Sequence, residues 1–319
     1  YSTTTDVSRY DRLLRTKNGL PRSAEWYYGP QTWLMNTLNI ENKATGGIYD
    51  QMNIRLAHQF FEESRHDRDL NKATKYNRDE KVYAASVNLD FTKTLKEKHQ
   101  LFYGLEYIFN QVKSTGTDED VTTGEIVPGP SRYPQSTWAS YAAYLTYHYK
   151  INSKLNLQAG ARYNLYALDA EFDTTYYPLP YTTANLSDGA LTGSIGLVYN
   201  PAEKWSFGAD ISTGFRAPNV DDMGKVFDSE PGSVIVPNPD LEAEYAYNVE
   251  VDIAKVFGNF LKIDLVGYYT YLNNAMVRRD YTLNGQDSIM YDGEMSQVQA
   301  MQNAAFATVY GIQAEIEAK

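Results

Sequence analysis

Apolar and polar residues alternate one by one along most of this chain. Successive side chains of a strand point to opposite faces, so this alternation predicts half-buried strands. Residues 205–212 are a clear example, because Trp205, Phe207 and Ile211 are separated by small or polar residues. Comparable runs lie within residues 25–40, 48–61, 83–91, 101–109, 141–149, 155–165, 191–199, 245–254, 261–271 and 305–317. The pattern predicts roughly eleven strands of about 10 to 18 residues, without helical stretches.

The connections between these strands alternate in length. Short turns near residues 41, 93, 150, 201 and 257 alternate with long loops near residues 11, 62, 113, 169, 217 and 277. This order predicts an up-and-down antiparallel sheet with its short turns at one end and its long loops at the other. Residues 1–10 are predicted to end a strand, and Gly29-Pro30 to interrupt one. The charged run 62–80 is either a long loop or an extension of two strands into solvent.

The connection order favours an all-β fold, a transmembrane up-and-down antiparallel β-barrel of the outer-membrane type. Such barrels combine short periplasmic turns with long extracellular loops. A soluble sandwich is the alternative, but its strands are usually about 3 to 10 residues long and its connections include Greek-key crossings. No apolar run approaches the roughly 18 residues that a transmembrane helix needs.

Composition agrees with a membrane barrel and excludes several other classes. The chain contains 28 tyrosines, yet its mean hydropathy is -0.51, and such amphipathic rings are favoured at membrane interfaces. The formal net charge of -11 argues against a nucleic-acid partner, which needs a basic surface. Without cysteine, neither disulfides nor a thiolate metal site can form. No metal site and no cofactor are predicted, and Tyr1 does not begin a signal peptide.

The polar faces of the strands are expected to line the barrel interior if the apolar faces meet lipid. That interior suits either a channel or hydrogen bonding to a plug. The side chains predicted to line it are Asn88, Asp90, Glu106, Asn156, Gln158, Arg162, Asp210, Asn248, Glu250, Lys262, Asp264, Gln313 and Glu315.

Two short motifs flank the long loop that follows residue 216. The first contains Phe215, Arg216, Ala217 and Pro218, and the second contains Asn238, Pro239, Asp240, Leu241 and Glu244. They resemble the paired FRAP and NPxL boxes of TonB-dependent outer-membrane receptors, although Ala243 replaces a proline of the second box. The stretch EWYYGPQ at residues 25–31 resembles receptors of the Bacteroides group.

The resemblance implies a position for this chain in a larger protein. Residues 1–319 would be a β-barrel segment, and a plug domain and the terminal barrel strands would be absent from it. Barrels of this family have about 22 strands, of which roughly half to two-thirds would be present here. The protein would lie in the outer membrane of a Gram-negative bacterium, with long loops extracellular and short turns periplasmic.

The resemblance also implies active import of a scarce ligand, driven by TonB through the absent plug domain. A ferric siderophore or similar metal chelate is the leading ligand, with haem, cobalamin or a glycan as alternatives. The loop between the two boxes contains no histidine, which argues against haem. Outer-membrane lipid is an expected partner, and a surface lipoprotein is a candidate. A passive porin is the second hypothesis. A surface hydrolase is the third, but His99 and His148 fall at the turn end, so no enzyme is predicted.

Strand parity gives a specific prediction for the boxes. Arg216 shares its face with Asp210, and Glu244 shares its face with Glu250, so an ion pair or a shared network is expected at the outer rim. The boxes are predicted to brace a loop, whereas ligand contacts are predicted in the long loops. The tyrosines proposed for ligand contact are Tyr133, Tyr176, Tyr177, Tyr281 and Tyr291, with Tyr181 as a further candidate. His66 and the acidic triplet Asp118-Glu119-Asp120 are predicted to be solvated loop residues.

Overall fold

A computed structural model describes residues 1–17, 19–44, 46–176, 179–224, 226–230, 232–291 and 293–318. Its two short helices are α1 (Tyr10–Leu13) and α2 (Val220–Met223). The strands are β1 (Ser2–Thr3), β2 (Val7–Ser8), β3 (Thr16–Lys17), β4 (Leu20–Pro21), β5 (Ser23–Tyr28), β6 (Thr32–Lys43), β7 (Gln51–Asp69), β8 (Thr74–Leu95), β9 (His99–Asp120), β10 (Ile126–Gly129), β11 (Gln135–Lys150), β12 (Leu155–Glu171), β13 (Thr183–Tyr199), β14 (Trp205–Arg216), β15 (Phe227–Glu230), β16 (Ser233–Ile235), β17 (Glu244–Phe257), β18 (Leu261–Asp280), β19 (Ser288–Tyr291) and β20 (Glu294–Ala318).

The long strands form one antiparallel sheet in chain order, which confirms the predicted up-and-down topology. Within the described residues, eleven strands have 12 or more residues, and the longest, β20, has 25. They pair in the order β6, β7, β8, β9, β11, β12, β13, β14, β17, β18 and β20. The sheet is not closed within this chain. Among the described residues, no helix is long and apolar enough to cross a membrane.

The strands extend further at the loop end than the apolar pattern predicted. The charged run 62–80 belongs largely to β7 and β8, so it extends the strands and is not a long loop. Residues 113–135 were predicted to be a loop, but β9 continues to Asp120 and β10 pairs back onto it. Ion pairs replace apolar contacts in these extensions, as between Lys81 and Glu62 at 2.9 Å and between Arg78 and Asp118 at 3.0 Å.

Other predicted boundaries also change. The interval 277–303, predicted to be a loop, contains the end of β18, all of β19 and the start of β20. The loop predicted over 169–188 shortens to the segment between β12 and β13. Residues 1–10 form β1, β2 and the start of α1 in place of one strand end. The predicted interruption at Gly29-Pro30 is confirmed, since it separates β5 from β6 and both pair with β7.

One face of the sheet carries a continuous band of exposed apolar side chains. Leu105, Leu145 and Leu165 on neighbouring strands are 49–54 % exposed, and Ile195 and Val251 are 50 % and 54 % exposed. A soluble protein rarely leaves so wide an apolar surface uncovered, whereas lipid hydrocarbon covers such a band on a transmembrane barrel. This face is therefore the membrane-facing face, and the opposite one is the inner face.

The inner face is polar and internally paired. Arg55 pairs with Asp90 at 2.7 Å, and the Tyr144 hydroxyl donates to the same carboxylate at 2.5 Å. One strand further, the Glu106 carboxylate contacts Arg162. These groups come from β7, β8, β9, β11 and β12, so the two clusters together occupy five strands of the inner face. The polar interior predicted from the sequence is present on this wall.

Aromatic rings mark the turn end of the membrane-facing face. The His99 ring stacks on Tyr149 with centroids 4.7 Å apart, and Lys255 lies 4.2 Å from the ring centroid of Trp205. Amphipathic rings and lysines are the residues that favour a membrane–water boundary. The apolar band therefore ends just before the short turns.

Candidate functional site

Residues 217–243, here called the insert, join β14 to β17 at the loop end of the sheet. The sequence places Pro, Gly and Asp in this segment, and the prediction was a loop. Most of its second half is instead buried, and Val234, Leu241 and Met223 are at most 1 % exposed. The insert is thus a packed element that contains α2, β15 and β16.

The insert packs against the inner face of the sheet. Met223 and Leu241 of the insert share one apolar cluster with Leu168 and Ala170 of β12 and Ala184 of β13. The two β12 residues alternate with the membrane-facing Leu165, so they point inward. The upper part of the inner wall is therefore apolar where it carries the insert.

A second contact holds the far side of the insert. Strand β16 pairs in parallel with β20, with Val234 opposite Val298. Around this pair lies a second buried cluster, which includes Val236, Leu283 and Ala300. Because β16 reaches β20 while the insert starts at β14, the insert passes across β17 and β18. It covers the loop end of the inner face over these strands.

Arg216 ties the start of the insert to its end. Its guanidinium donates to both oxygens of Asp222 at 2.6 and 2.7 Å and to the Glu244 carboxylate at 3.1 Å. Residues 216 and 244 are also direct cross-strand partners of β14 and β17. The predicted ion pair between Arg216 and Glu244 is confirmed, and Asp222 is an additional partner.

The two carboxylates around Arg216 are themselves held by backbone groups. The Asp222 carboxylate accepts a hydrogen bond from the Asn219 backbone at 3.1 Å. The Asn219 side chain accepts from the backbone of Asp221 at 2.8 Å and of Asp222 at 3.0 Å, so Asn219 and Asp222 together cap α2. Glu244 accepts a hydrogen bond from the Met276 backbone. A capping box satisfies backbone donors that would otherwise stay unpaired at a helix start. The arginine therefore meets carboxylates that are already fixed in place.

The second box is fixed to the opposite strands. The Asn238 side chain donates to the Met301 carbonyl at 2.7 Å and accepts from the Asp240 backbone at 3.1 Å. Two residues further along β20, the Asn303 side chain accepts from the Glu242 backbone at 2.8 Å and donates to the Glu242 carbonyl at 2.9 Å. The polar groups of this box thus bond to β20 and to the box itself.

Four of the tyrosines proposed for ligand contact lie against the insert or against the buried clusters that it forms. The Tyr133 hydroxyl donates to Asp221 of the insert at 2.8 Å, and burial raises the pKa of Tyr133. The Tyr181 hydroxyl donates to the Pro237 carbonyl at 2.7 Å. These two tyrosines therefore contact the insert at different residues, Tyr133 from the segment before β11 and Tyr181 from the segment before β13.

The remaining proposed tyrosines fall into two groups. Tyr281 and Tyr291 pack together against the cluster around Val234. Tyr176 lies in the loop between β12 and β13 and is 38 % exposed, and Tyr177 lies outside the described residues. Among the described tyrosines of the proposal, Tyr176 is the one that exposes its ring most at the loop end.

Two other sequence predictions change on the extended strands. His66 was predicted to be a solvated loop residue, but it lies in β7, stacks on Tyr27 with centroids 4.6 Å apart and contacts Asn77 at 2.5 Å. The acidic triplet at 118–120 lies at the end of β9, where Asp118 pairs with Arg78. Both groups are therefore part of the extended sheet.

An aromatic and cationic surface on β5 was missed by the sequence reasoning. The Arg9 guanidinium lies 5.4 Å from the Trp26 ring and 5.0 Å from the Tyr28 ring, and Arg65 lies 4.7 Å from Tyr28. Arg65 shares its face with Arg55, ten residues earlier in β7, so the surface is on the inner face. In the sequence, the stretch EWYYGPQ pointed only to a family resemblance. The run Trp26-Tyr27-Tyr28 was the one local sign of this surface, because Arg9 and Arg65 lie in other segments of the chain.

A buried carboxyl group lies beneath residues 130–134. Glu80 is 5 % exposed, and its contact is the Ser114 hydroxyl at 3.4 Å, while its second oxygen has no partner among the described residues. Ser114 in turn accepts from the backbone of Arg132 and Tyr133 at 3.2 and 3.3 Å. Burial raises the pKa of Glu80. This small network positions the segment that carries Tyr133 toward the insert.

The open sheet, its apolar outer band and its polar inner wall define the chain as part of a transmembrane β-barrel. The whole chain, residues 1–319, matches the family described as TonB dependent receptor-like, beta-barrel. The chain therefore belongs to the TonB-dependent receptor family, whose members are transport receptors and not enzymes. No curated protein sequence matches it.

Several solved structures share this fold at low sequence identity. The copper transporter OprC aligns with a TM-score of 0.72 and 12 % identity, over 91 % of this chain and 44 % of OprC. A double mutant of the Serratia marcescens hemophore receptor HasR, in complex with its hemophore HasA and heme, aligns with a TM-score of 0.67 and 13 % identity, over 91 % of this chain and 46 % of HasR. The ferric yersiniabactin uptake receptor FyuA from Yersinia pestis aligns with a TM-score of 0.62 and 14 % identity, over 92 % of this chain and 40 % of FyuA. The chain thus spans less than half the length of these structures.

Replacing Arg216 by methionine should loosen the insert. The variant keeps the apolar stem but leaves Asp222 and Glu244 without their cation, at a cost of about 1–2 kcal/mol because the arginine is half exposed. Hydrogen exchange of residues 217–243 should accelerate. Arg55→Met, which breaks the distant pair with Asp90, is the matched control and should leave this segment unchanged. Equal exchange in both variants would show that Arg216 does not hold the insert.

Replacing Glu80 by glutamine should remove part of the pH dependence of the free energy of unfolding. A carboxyl whose pKa is raised on folding stabilises the fold below its unfolded value, about 4.3, and that contribution is lost as pH rises through the folded value. Glu80→Gln should therefore resist urea more than the parent protein near pH 7 and equally near pH 4. The control Glu125→Gln removes a carboxyl from an exposed turn. A neutral-pH gain of the same size in the control would contradict the role of burial.

Proposed function

We propose that this chain forms part of the barrel wall of a TonB-driven importer in the outer membrane. In this proposal the long loops are extracellular and the short turns are periplasmic, so ligand enters at the loop end. The observation that carries the proposal is the match of residues 1–319 to a family of transport receptors. The insert narrows the loop end in an importer and in a passive porin alike, so the family match separates the two.

TonB would act through a plug domain in the longer protein, and further strands would complete the barrel. This chain aligns with only 40–46 % of the length of the three receptors, which supports a larger protein with a plug domain and further strands. The paired polar groups of the inner wall, such as Arg55 with Asp90, offer hydrogen-bonding partners to a plug. The complex of HasR with its hemophore shows that a receptor of this fold can bind a protein partner, and for this chain we propose a surface lipoprotein as such a partner.

The ligand we propose is a ferric siderophore or a similar metal chelate. Structures with this fold include the ferric-catecholate import receptor Fiu and the ferric citrate transporter FecA. On this chain, Trp26 and Tyr28 on the inner face stack with the guanidinium groups of Arg9 and Arg65. Arg9 also pairs with Asp11 and Arg65 with Glu63, both at 2.8 Å. Stacked guanidinium and aromatic planes suit a ligand with planar parts, and an anionic group on that ligand would take the place of these carboxylates.

The box residues and the loop tyrosines have different roles in this proposal. The boxes around Arg216 and Asn238 brace the insert, because their polar groups bond to neighbouring strands and to α2. Tyr176 and Tyr177 are the loop tyrosines proposed to reach the ligand. Tyr133, Tyr281 and Tyr291 would support the insert and contact ligand only along their exposed edges.

Uptake by the full-length protein tests the import function. Cells that express it, with and without TonB, would be given radiolabelled ferric citrate and a radiolabelled ferric catecholate. The expected result is accumulation of at least one chelate in the TonB-containing cells alone. Equal accumulation in both strains would favour a passive porin, and no accumulation of either chelate would contradict the ligand class.

Paired variants test the cationic surface. Arg9→Ala combined with Trp26→Ala should weaken binding of the imported chelate by about tenfold, since the surface loses a guanidinium, an indole ring and three cation–ring contacts. Lys255→Ala combined with Trp205→Ala removes a similar contact at the turn end of the membrane-facing face and is the control. Unchanged affinity in the first pair would remove this surface from the proposed site.

A further inference from the structure

The sheet has a notch at its loop end, above the paired ends of β14 and β17. These two strands stop at Arg216 and Glu244, which are direct partners. Strand β13 on one side and β18 on the other extend further, to Thr183 and Asp280. Within the described residues, no strand lies between β13 and β18 at this height. The notch is therefore about 14 Å wide, which is three strand spacings.

One edge of β13 faces this notch. Strand β13 pairs with β12 along its whole length, but it pairs with β14 only from Ser194 to Tyr199. The backbone N–H and C=O of Gly193 point toward β14, where both bond to the Thr213 hydroxyl at 2.8 and 3.3 Å. Because every second residue of a strand points these groups to the same neighbour, the odd-numbered residues of 185–191 face the notch in the same way.

Most of these notch-facing backbone groups have no partner among the described residues. The exception is the N–H of Gly189, which donates to the Asp188 side chain at 2.7 Å. No other strand or loop backbone bonds to this edge in the described part of the chain. Natural sheets protect free edges with lysine, proline or bulges, but residues 183–193 contain neither residue and pair with β12 without a bulge.

Strands that complete the barrel do not cover this edge. Strand β13 lies in the middle of the sheet and has β12 and β14 as its neighbours, whereas further strands would join at the ends of the sheet. The opposite side of the notch is capped at its base, because Glu244 accepts from the Met276 backbone of β18. Edge pairing is therefore left open on the β13 side.

We propose that the notch-facing edge of β13, residues 183–191, binds an extended segment of a partner protein as an added strand. The free N–H and C=O groups repeat about every 6.7 Å, and another extended backbone presents donors and acceptors with the same period. The insert backs the site, since it packs against the inward-facing Ala184 and Ala190. The proposal does not depend on which ligand is imported.

A partner segment fits this edge better than a second copy of the chain. In a second copy the same edge lies in the same notch between β13 and β18, so two recessed edges cannot meet. The side chains of Thr183, Asn185 and Ser187 on the other, outward face are polar and exposed. They suit a protein partner in water at the loop end.

Disulfide tethering to the full-length protein tests strand addition. Ser187→Cys places a thiol beside the free edge, while Ala167→Cys places one on its direct partner in β12, which has β11 on its other side. Each variant is equilibrated by thiol exchange with the blocked peptide Thr-Val-Cys-Val-Thr or with cystamine as the reference. The ratio of peptide to cystamine disulfide should be about tenfold higher for Ser187→Cys, because backbone hydrogen bonds stabilise that adduct alone. Equal ratios for the two variants would overturn the proposal.

Two N-methylated peptides make the assignment specific to the backbone. When the peptide cysteine lies opposite residue 187, the N–H groups of both peptide threonines face β13 and those of both valines face away. Methylating the threonine nitrogens should abolish the tenfold preference, and methylating the valine nitrogens should leave it unchanged. Equal effects of the two peptides would contradict strand addition. A disulfide-linked dimer as the main product of Ser187→Cys would assign the edge to a second copy and overturn the proposal as well.

Discussion

The structure depends on one continuous ladder of backbone hydrogen bonds. In hydrocarbon no water can satisfy a free amide or carbonyl, so a strand can span a membrane only when its neighbours pair with it. Each long strand from β6 to β20 pairs with the next in chain order, and β18 and β20 shift register between Leu272 and Met276. Within each regular stretch this ladder fixes which side chains face lipid and which face inward, because successive positions alternate. The apolar band, the polar inner wall and the position of the insert all follow from it.

The inner face changes character along its height. Near the middle of the strands it carries charged pairs such as Arg162 with Glu106, but near the loop end it carries Leu168 and Ala170. An apolar inner surface would be costly if it faced water, and the insert covers it. Arg216 then joins the two ends of the insert through Asp222 and Glu244. Packing and ion pairing therefore act on the same segment from different sides.

Strand periodicity was enough to predict the topology and the facing of Arg216 and Glu244, because both depend on alternation within single strands. Periodicity did not predict how far the strands continue at the loop end. There, pairs such as Lys81 with Glu62 maintain the sheet, and charged residues on both faces remove the apolar signal. The pattern also did not predict that the insert is buried. Val234 pairs in parallel with Val298, more than sixty residues later in the chain, and no local sequence motif predicts a pairing over that distance.

The central claim is that the insert is fixed on the inner wall of the barrel. The chain contains no cysteine, so the variant with Val234→Cys and Val298→Cys tests this claim against a clean background. Cross-strand partners approach closely enough for a disulfide, whose Cα atoms lie about 4.4–6.8 Å apart. In intact membranes the two thiols should form an intramolecular disulfide under mild oxidation and resist a membrane-impermeant maleimide beforehand. Rapid maleimide labelling without disulfide formation would contradict the account, because it would place the insert in solvent.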